Sequence, residues 1–195
     1  MTAKYHDIDG KSVLVTGGAS GIGASIVRAF CAQGAHVGFI DIDDDAAQKL
    51  IDSIREDHGV APVYKSLDLR DQAAIPGAVR ELSAAIGPVD VLVNNAARDD
   101  RHRPEDIGPE QWRDGLDVNL NHQFFCARAV AQGMREKGGG SIINFSSVSY
   151  LMGLPDLVTY ETAKAGIIGM TRALGRGWHS GQYSYSGLYH NPTAT

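Results

Sequence analysis

Directly after the apolar run SVLV (12–15) the chain reads TGGASGIG (16–23), and Ile22, Ile26, Val27 and Phe30 then fall at helical spacing. A strand that turns into a helix through Gly17, Gly21 and Gly23 limits the fold more than any other stretch. The helix must carry the chain back along the sheet to a parallel neighbour, and AHVGFID (35–41) supplies one. The rhythm then repeats. Ala46, Ala47, Leu50, Ile51 and Ile54 predict a helix, APVYKS a strand, Ile75, Ala78, Val79, Leu82 and Ile86 a helix, and VDVLVNN a strand. One long helix around 112–136 carries Phe124, Phe125, Ala129 and Val130; KGGG (137–140) ends it before a fifth strand, SIINFSS (141–147). Strands this continuously apolar need helices on both faces. The pattern predicts a doubly wound, parallel α/β sheet of the Rossmann type, in one unit over residues 10–174.

Composition narrows the function. With 195 residues, 43% of them hydrophobic, 21% charged and a net charge of −5, the chain offers no basic surface for a nucleic acid. No run reaches the roughly 18 apolar residues of a membrane span, and the start has no apolar signal core, so a cytoplasmic protein is expected. Cys31 and Cys126 lie within amphipathic patterns and read as buried reduced thiols. The seven histidines have no metal-ligand spacing.

The glycine turn has two readings. Either it serves only close helix and strand packing, or it lets the backbone approach a pyrophosphate at a helix N-terminus. Its place between strand and helix favours the second. Asp41 follows Gly23 by eighteen residues, at the end of the second strand, where a carboxylate accepts hydrogen bonds from an adenosine ribose and repels a 2′-phosphate. No Arg or Lys follows before Lys49, which favours NAD over NADP. Asp68 and Leu69, after the third strand, either flank the adenine or belong to a plain cap.

YETAK (160–164) sets Tyr160 and Lys164 four apart, on one face of a helix. Alone, such a pair is an ordinary surface feature. A phenol is too weak a base at neutral pH, but a neighbouring ammonium and a cationic nicotinamide both favour its ionised form. Ser147, at the carboxyl end of the fifth strand, can hold a substrate oxygen nearby.

In order and spacing, TGGASGIG, NNAA (94–97), Asn119 in VNLN, Ser147 and YETAK resemble the short-chain dehydrogenase/reductase superfamily across about residues 10–174. The resemblance implies a nicotinamide-dependent oxidoreductase. Tyr160 would be its acid/base, Ser147 the substrate-oxygen anchor, Lys164 the group that holds the nicotinamide ribose and lowers the Tyr160 pKa, and Asn119 the support of a water relay. The cofactor would lie against Gly17, Ser20, Gly21, Ile22, Gly23, Asp41, Asp68, Leu69, Asn95, Ala96, Tyr160 and Lys164. NNAA departs from the commoner Asn-Asn-Ala-Gly at Ala97. Helix surfaces that pack against partner subunits in the superfamily imply a homo-oligomer.

The stretch RDDRHR (98–103) reads either as a solvated loop or as a run of donors and acceptors for a polyhydroxy substrate. NNAARDDRH, NLNHQFFCARAV, GGGSIINFSS and DLVTYETAKAGIIGMTRAL together resemble bacterial D-xylose and D-galactose 1-dehydrogenases, which oxidise the anomeric carbon of an aldose with NAD to give a lactone. Asp99, Asp100, Arg101 and His102 are then candidate substrate contacts, and Met152 and Leu154 candidate crevice walls. A general carbonyl or alcohol reductase, or a catalytically silent NAD-binding protein, are the alternatives.

The resemblance stops abruptly. Residues 1–176 read as the catalytic domain and 177–195 as an atypical tail without Lys, Arg, Asp or Glu. The family pattern would add two more strands, a Pro-Gly turn and a substrate lid, and GWHSGQYSYSGLYHNPTAT contains none of them by its apolar pattern. The tail is either a divergent ending or, as we prefer, the product of a shifted reading frame near Arg176. The fifth strand is therefore expected at the edge of an apparently truncated sheet, with its backbone unpaired.

Overall fold

The computed structural model describes residues 3–177 and the backbone of 182–190. Along the chain run β1 (Ser12–Thr16), α1 (Gly21–Ala32), β2 (His36–Asp41), α2 (Asp44–His58), β3 (Val63–Ser66), α3 (Ile75–Ile86) and β4 (Val91–Asn94). A 3₁₀ turn (Pro104–Asp106) leads to α4 (Pro109–Leu116), a π-helical turn (Asp117–Asn121) and α5 (His122–Glu136). Then come β5 (Gly139–Ser147), the short α6 (Ser149–Met152), α7 (Val158–Gly177) and β6 (Gln182–His190).

The strands form one parallel sheet in the order β3-β2-β1-β4-β5-β6. Every side chain of β1 is buried, and they alternate between two cores. Leu14 joins Ile75, Leu82, Val130 and Met134 on one face; Val13 and Val15 join Val27, Ala47, Leu50 and Ile54 on the other. Burying a Val or Leu side chain fully stabilises by about 2 kcal/mol, so a continuously apolar strand is selected only where helices cover both faces. Local signals fix the ends of α2. The Asp43 carboxylate accepts from the Ala46 amide at 2.9 Å, and Gly59 closes the helix with φ of 70°.

Two expectations are corrected. The long helix around 112–136 is three segments, because the π-helical turn at 117–121 separates α4 from α5. And β5 is not an edge: β6 pairs with it in parallel from Gly139↔Gln182 to Ser147↔His190. Backbone pairing needs no apolar side chains, so the polar composition of the tail did not exclude a strand. The residues 191–195 at the end of the expected tail, and 178–181 before β6, lie outside the described residues.

The chain leaves β1 toward β2 and β3, then crosses back to β4 on the other side of β1. This reversal opens a crevice between the carboxyl ends of β1 and β4, where doubly wound sheets bind their ligands.

Candidate active site

A cleft of about 520 Å³ occupies that crevice. Its lining includes Gly17, Ser20, Ile22, Gly23, Asp41, Asp68, Leu69, Asn95, Ala96, Asp99, Tyr160 and Lys164. Residues scattered over 148 positions of sequence are thus gathered by the carboxyl ends of β1, β2 and β4, the turn after β3, and α7.

The glycine turn leaves no room for a side chain at Gly17 or Gly23. Gly17 has φ of 66°, and a Cβ on Gly23 would stand 1.7 Å from the Gly17 carbonyl oxygen. Ser20 precedes α1 in extended conformation without a side-chain cap bond, so the first amides of α1 remain free for an anion. Gly21 starts that helix but does not itself line the cleft.

Asp41 closes the far side. Its Oδ2 accepts from the Ala19 amide at 2.8 Å, and its Oδ1 from the amides of Ile42 at 2.7 Å and Asp43 at 3.2 Å. Three of roughly four acceptor positions of the carboxylate are in use, which leaves one for a hydroxyl. Asp68 is bound to Arg70, whose guanidinium also reaches Asp114 at 2.6 Å, and Arg98 bridges Asp114 at 2.6 Å to Asp100. Both arginines near the cleft are thereby matched by carboxylates. An uncapped helix start, a glycine cradle and a strand-end acid fit a dinucleotide.

At the other end Tyr160 is 7% exposed and Lys164 2% exposed. One helical turn apart on α7, they bring the Lys164 nitrogen to 5.3 Å from the tyrosine ring centroid. That nitrogen donates to the Phe145 carbonyl at 2.9 Å, and burial pushes its pKa down to about 8. Burial also pushes the Tyr160 phenol up; the Ser147 hydroxyl pulls it back, and the Asp99 charge adds to the rise. Loss of hydration is thus the largest influence on the phenol. Ser147 is fully buried at the end of β5 and lies beside the phenol rather than in the cleft lining.

Asn119 sits in the π-helical turn, 2% exposed. Its Oδ1 accepts from the Arg98 amide at 2.8 Å, and its Nδ2 donates to the carbonyls of Arg98 at 3.0 Å and Gly115 at 2.9 Å. Its side chain thus ties the loop after β4 to α4. The structure also sorts the charged run. Asp99 lines the cleft, whereas Asp100 pairs with Arg98, Arg101 donates to the Pro155 carbonyl, and the His102 amide donates to the Asp156 carbonyl. Met152, 54% exposed, and Leu154 are not in the lining. Sequence reasoning missed His122 and Gln123, both fully buried at the start of α5. A histidine beside a glutamine inside an amphipathic pattern was the only signal. Among the described residues no group of His, Cys, Asp or Glu could hold a metal, and no helix is long and apolar enough to cross a membrane.

The family model described as short chain dehydrogenase matches residues 11–183. The chain belongs to the short chain dehydrogenase family. It is an oxidoreductase of the kind that uses a nicotinamide cofactor. It is 50% identical over 175 residues to a D-xylose 1-dehydrogenase of Caulobacter vibrioides, a match covering 90% of this chain and 68% of that protein. To a protein of Rhizobium meliloti named probable galactose dehydrogenase GalD it is 47% identical over 173 residues, covering 89% and 68%. The crystal structure of gox2181 superposes with a TM-score of 0.87 at 29% identity, covering 93% of this chain and 71% of that one.

Proposed function

We propose that this short chain dehydrogenase oxidises the anomeric carbon of an aldose with NAD, giving a sugar lactone. The observation that carries the reading is the joining of Tyr160, Lys164 and Asp99 in one cleft with the glycine turn. NAD, when bound, accepts the hydride. Tyr160 takes the proton of the anomeric hydroxyl, and Ser147 holds the phenol in register beside it. Lys164 supplies a buried positive charge one turn away. Asp99, which with Arg98 is the part of the charged run that lines the cleft, accepts a bond from a second sugar hydroxyl.

The choice of NAD rests on Asp41. A 2′-phosphate would meet its charge and those of Asp43 and Asp44, and Arg70 is already neutralised by Asp68 and Asp114. The sugar reading draws support from the two relatives named for xylose and galactose. The cytoplasm suits the buried free thiols of Cys31 and Cys126. The groove bordered by Leu120, Phe124, Phe125, Gly166 and Met170 is the proposed seat of a second copy in a homo-oligomer, checked by the mass in solution.

NADH absorbance is followed after mixing the protein with NAD and, separately, D-xylose, D-galactose, L-arabinose and D-glucose, with Tyr160→Phe as control. The expected result is turnover of at least one sugar that the control abolishes. NAD binding without turnover of any sugar would make the chain a silent cofactor-binding protein.

A further inference from the structure

The segment after β4 is the wall of the cleft between the glycine turn and Tyr160, and side chains from other elements hold its backbone. Thr16 Oγ1 accepts from the amides of Asn95 at 3.1 Å and Ala96 at 3.2 Å. Asn119 holds both the amide and the carbonyl of Arg98. Between these two clamps the Ala96 carbonyl oxygen faces Nε2 of His122 at 3.1 Å. A carbonyl only accepts, so this contact is a hydrogen bond in the tautomer whose Nε2 carries the hydrogen. The ring is 0% exposed; burial, reinforced by the charge on Lys164, outweighs the opposing backbone hydrogen bonds to Ala96 and Val118, pushes its pKa down to about 3 and keeps the imidazole neutral at working pH.

Ala96 is where a displacement would matter most. A Cβ built on Gly17 would come within 2.7 Å of the Ala96 Cα, so the wall and the glycine turn are already in backbone contact. If Ala96 moves inward it displaces Gly17; if it moves outward the cleft widens. His122 is the first residue of α5, three positions after Asn119, and the two side chains grip the same segment two residues apart. We infer that His122 is a positioning residue, whose Nε2–H pins the Ala96 carbonyl and thereby sets the spacing between the wall and the glycine turn that the cofactor needs. His122 does not itself line the cleft. The inference rests on the reading of that cleft as a dinucleotide site.

The test compares NAD affinity by titration calorimetry in the unaltered chain, His122→Gln and His122→Leu, with the thermal midpoint of each free protein. The terminal amide of Gln places an N–H close to the position of Nε2, whereas Leu fills the volume without a donor. We expect His122→Leu to bind NAD about tenfold more weakly and His122→Gln to stay within about twofold of the unaltered chain. Equal affinity for the Leu variant and the unaltered chain, or a Gln variant as weak as Leu, overturns the inference while leaving the cofactor site standing. An unaltered chain that binds no NAD overturns both. Should the Leu variant not fold, ¹⁵N resonances of His122 in the unaltered chain decide. The neutral Nε2–H form is expected from about pH 8 down to about pH 5, and an Nδ1–H form or a titration within that range overturns the inference.

Discussion

The ammonium nitrogen of Lys164 donates to the carbonyl oxygen of Phe145 at 2.9 Å, inside a protein that leaves the side chain 2% exposed. One neutral acceptor replaces a hydration shell, and the lysine pKa falls from 10.5 to about 8. A drop of that size corresponds to a penalty on the order of 3 kcal/mol for carrying the charge in the folded state. The folded protein binds fewer protons than the unfolded chain between about pH 8 and 10.5, so this penalty is full below pH 8 and fades as pH rises through the window. Lys164→Met is therefore expected to inactivate the enzyme yet to unfold at higher urea than the unaltered chain at pH 7, with the gap narrowing at pH 10. A gap that does not change with pH would show that the buried charge is not its source.

Ser147 acts on Tyr160 in the opposite sense to burial, lowering a phenol that its surroundings raise. In the direction of alcohol oxidation the rate climbs as the phenol ionises. Ser147→Ala removes the lowering contribution, so the rising limb of the kcat profile should move to higher pH, with a loss at neutral pH on the order of tenfold. Tyr160→Phe should cost about a hundredfold or more in kcat with NAD affinity nearly unchanged, as expected for a proton-transfer group. A Ser147→Ala profile that keeps its midpoint would separate the serine from the titration.

Gly23→Ala tests the cradle. The added methyl would meet the Gly17 carbonyl oxygen at 1.7 Å and the Asn95 side-chain amide at 2.8 Å, and the first of these is backbone. Relief requires the turn to open, so a destabilisation of about 1–3 kcal/mol in urea is expected together with weaker NAD binding. Unchanged stability and affinity would mean that the turn gives way more readily than its contacts suggest.

Asp41→Ala removes the acceptor of three backbone amides at the end of β2. NAD affinity should fall about tenfold as the proposed ribose contact and the fixed turn are lost together. NADP affinity should fall less or rise, because the repelling charge has gone. The ratio of the two dissociation constants, measured side by side, is the deciding quantity.

The order of strands and helices was legible because burial on both faces leaves an unmistakable trace: Val13, Leu14 and Val15 are all at 0% exposure, with no polar residue between them. Tyr160, Lys164 and the glycine turn were legible through spacing, since a turn of helix and a strand-to-helix junction each impose one. What was not legible lacked such a period. β6 escaped because Tyr183 and Tyr185 alternate with Ser184 and Ser186, a rhythm visible only when tyrosine is counted as a strand former. The sorting of Asp99 from Asp100, Arg101 and His102 depends on partners in α4 and in the loop before α7, remote in sequence. His122 looks like a solvated polar residue until the carbonyl it serves, twenty-six residues earlier, is brought to it.

The π-helical turn at Asp117–Asn121 amounts to one residue more than a regular helix would use. Each residue of a helix advances the phase by about 100°, so this single addition sets the rotation of α5 against α4. Removal of one codon within 117–121 would regularise the helix and swing Asn119 or His122 off the backbone groups of Arg98 and Ala96. The reading of this cleft is thus sensitive to length here in a way it is not at the loops: descendants of this gene can trade side chains in the segment, but they cannot lose a residue from it and keep both grips.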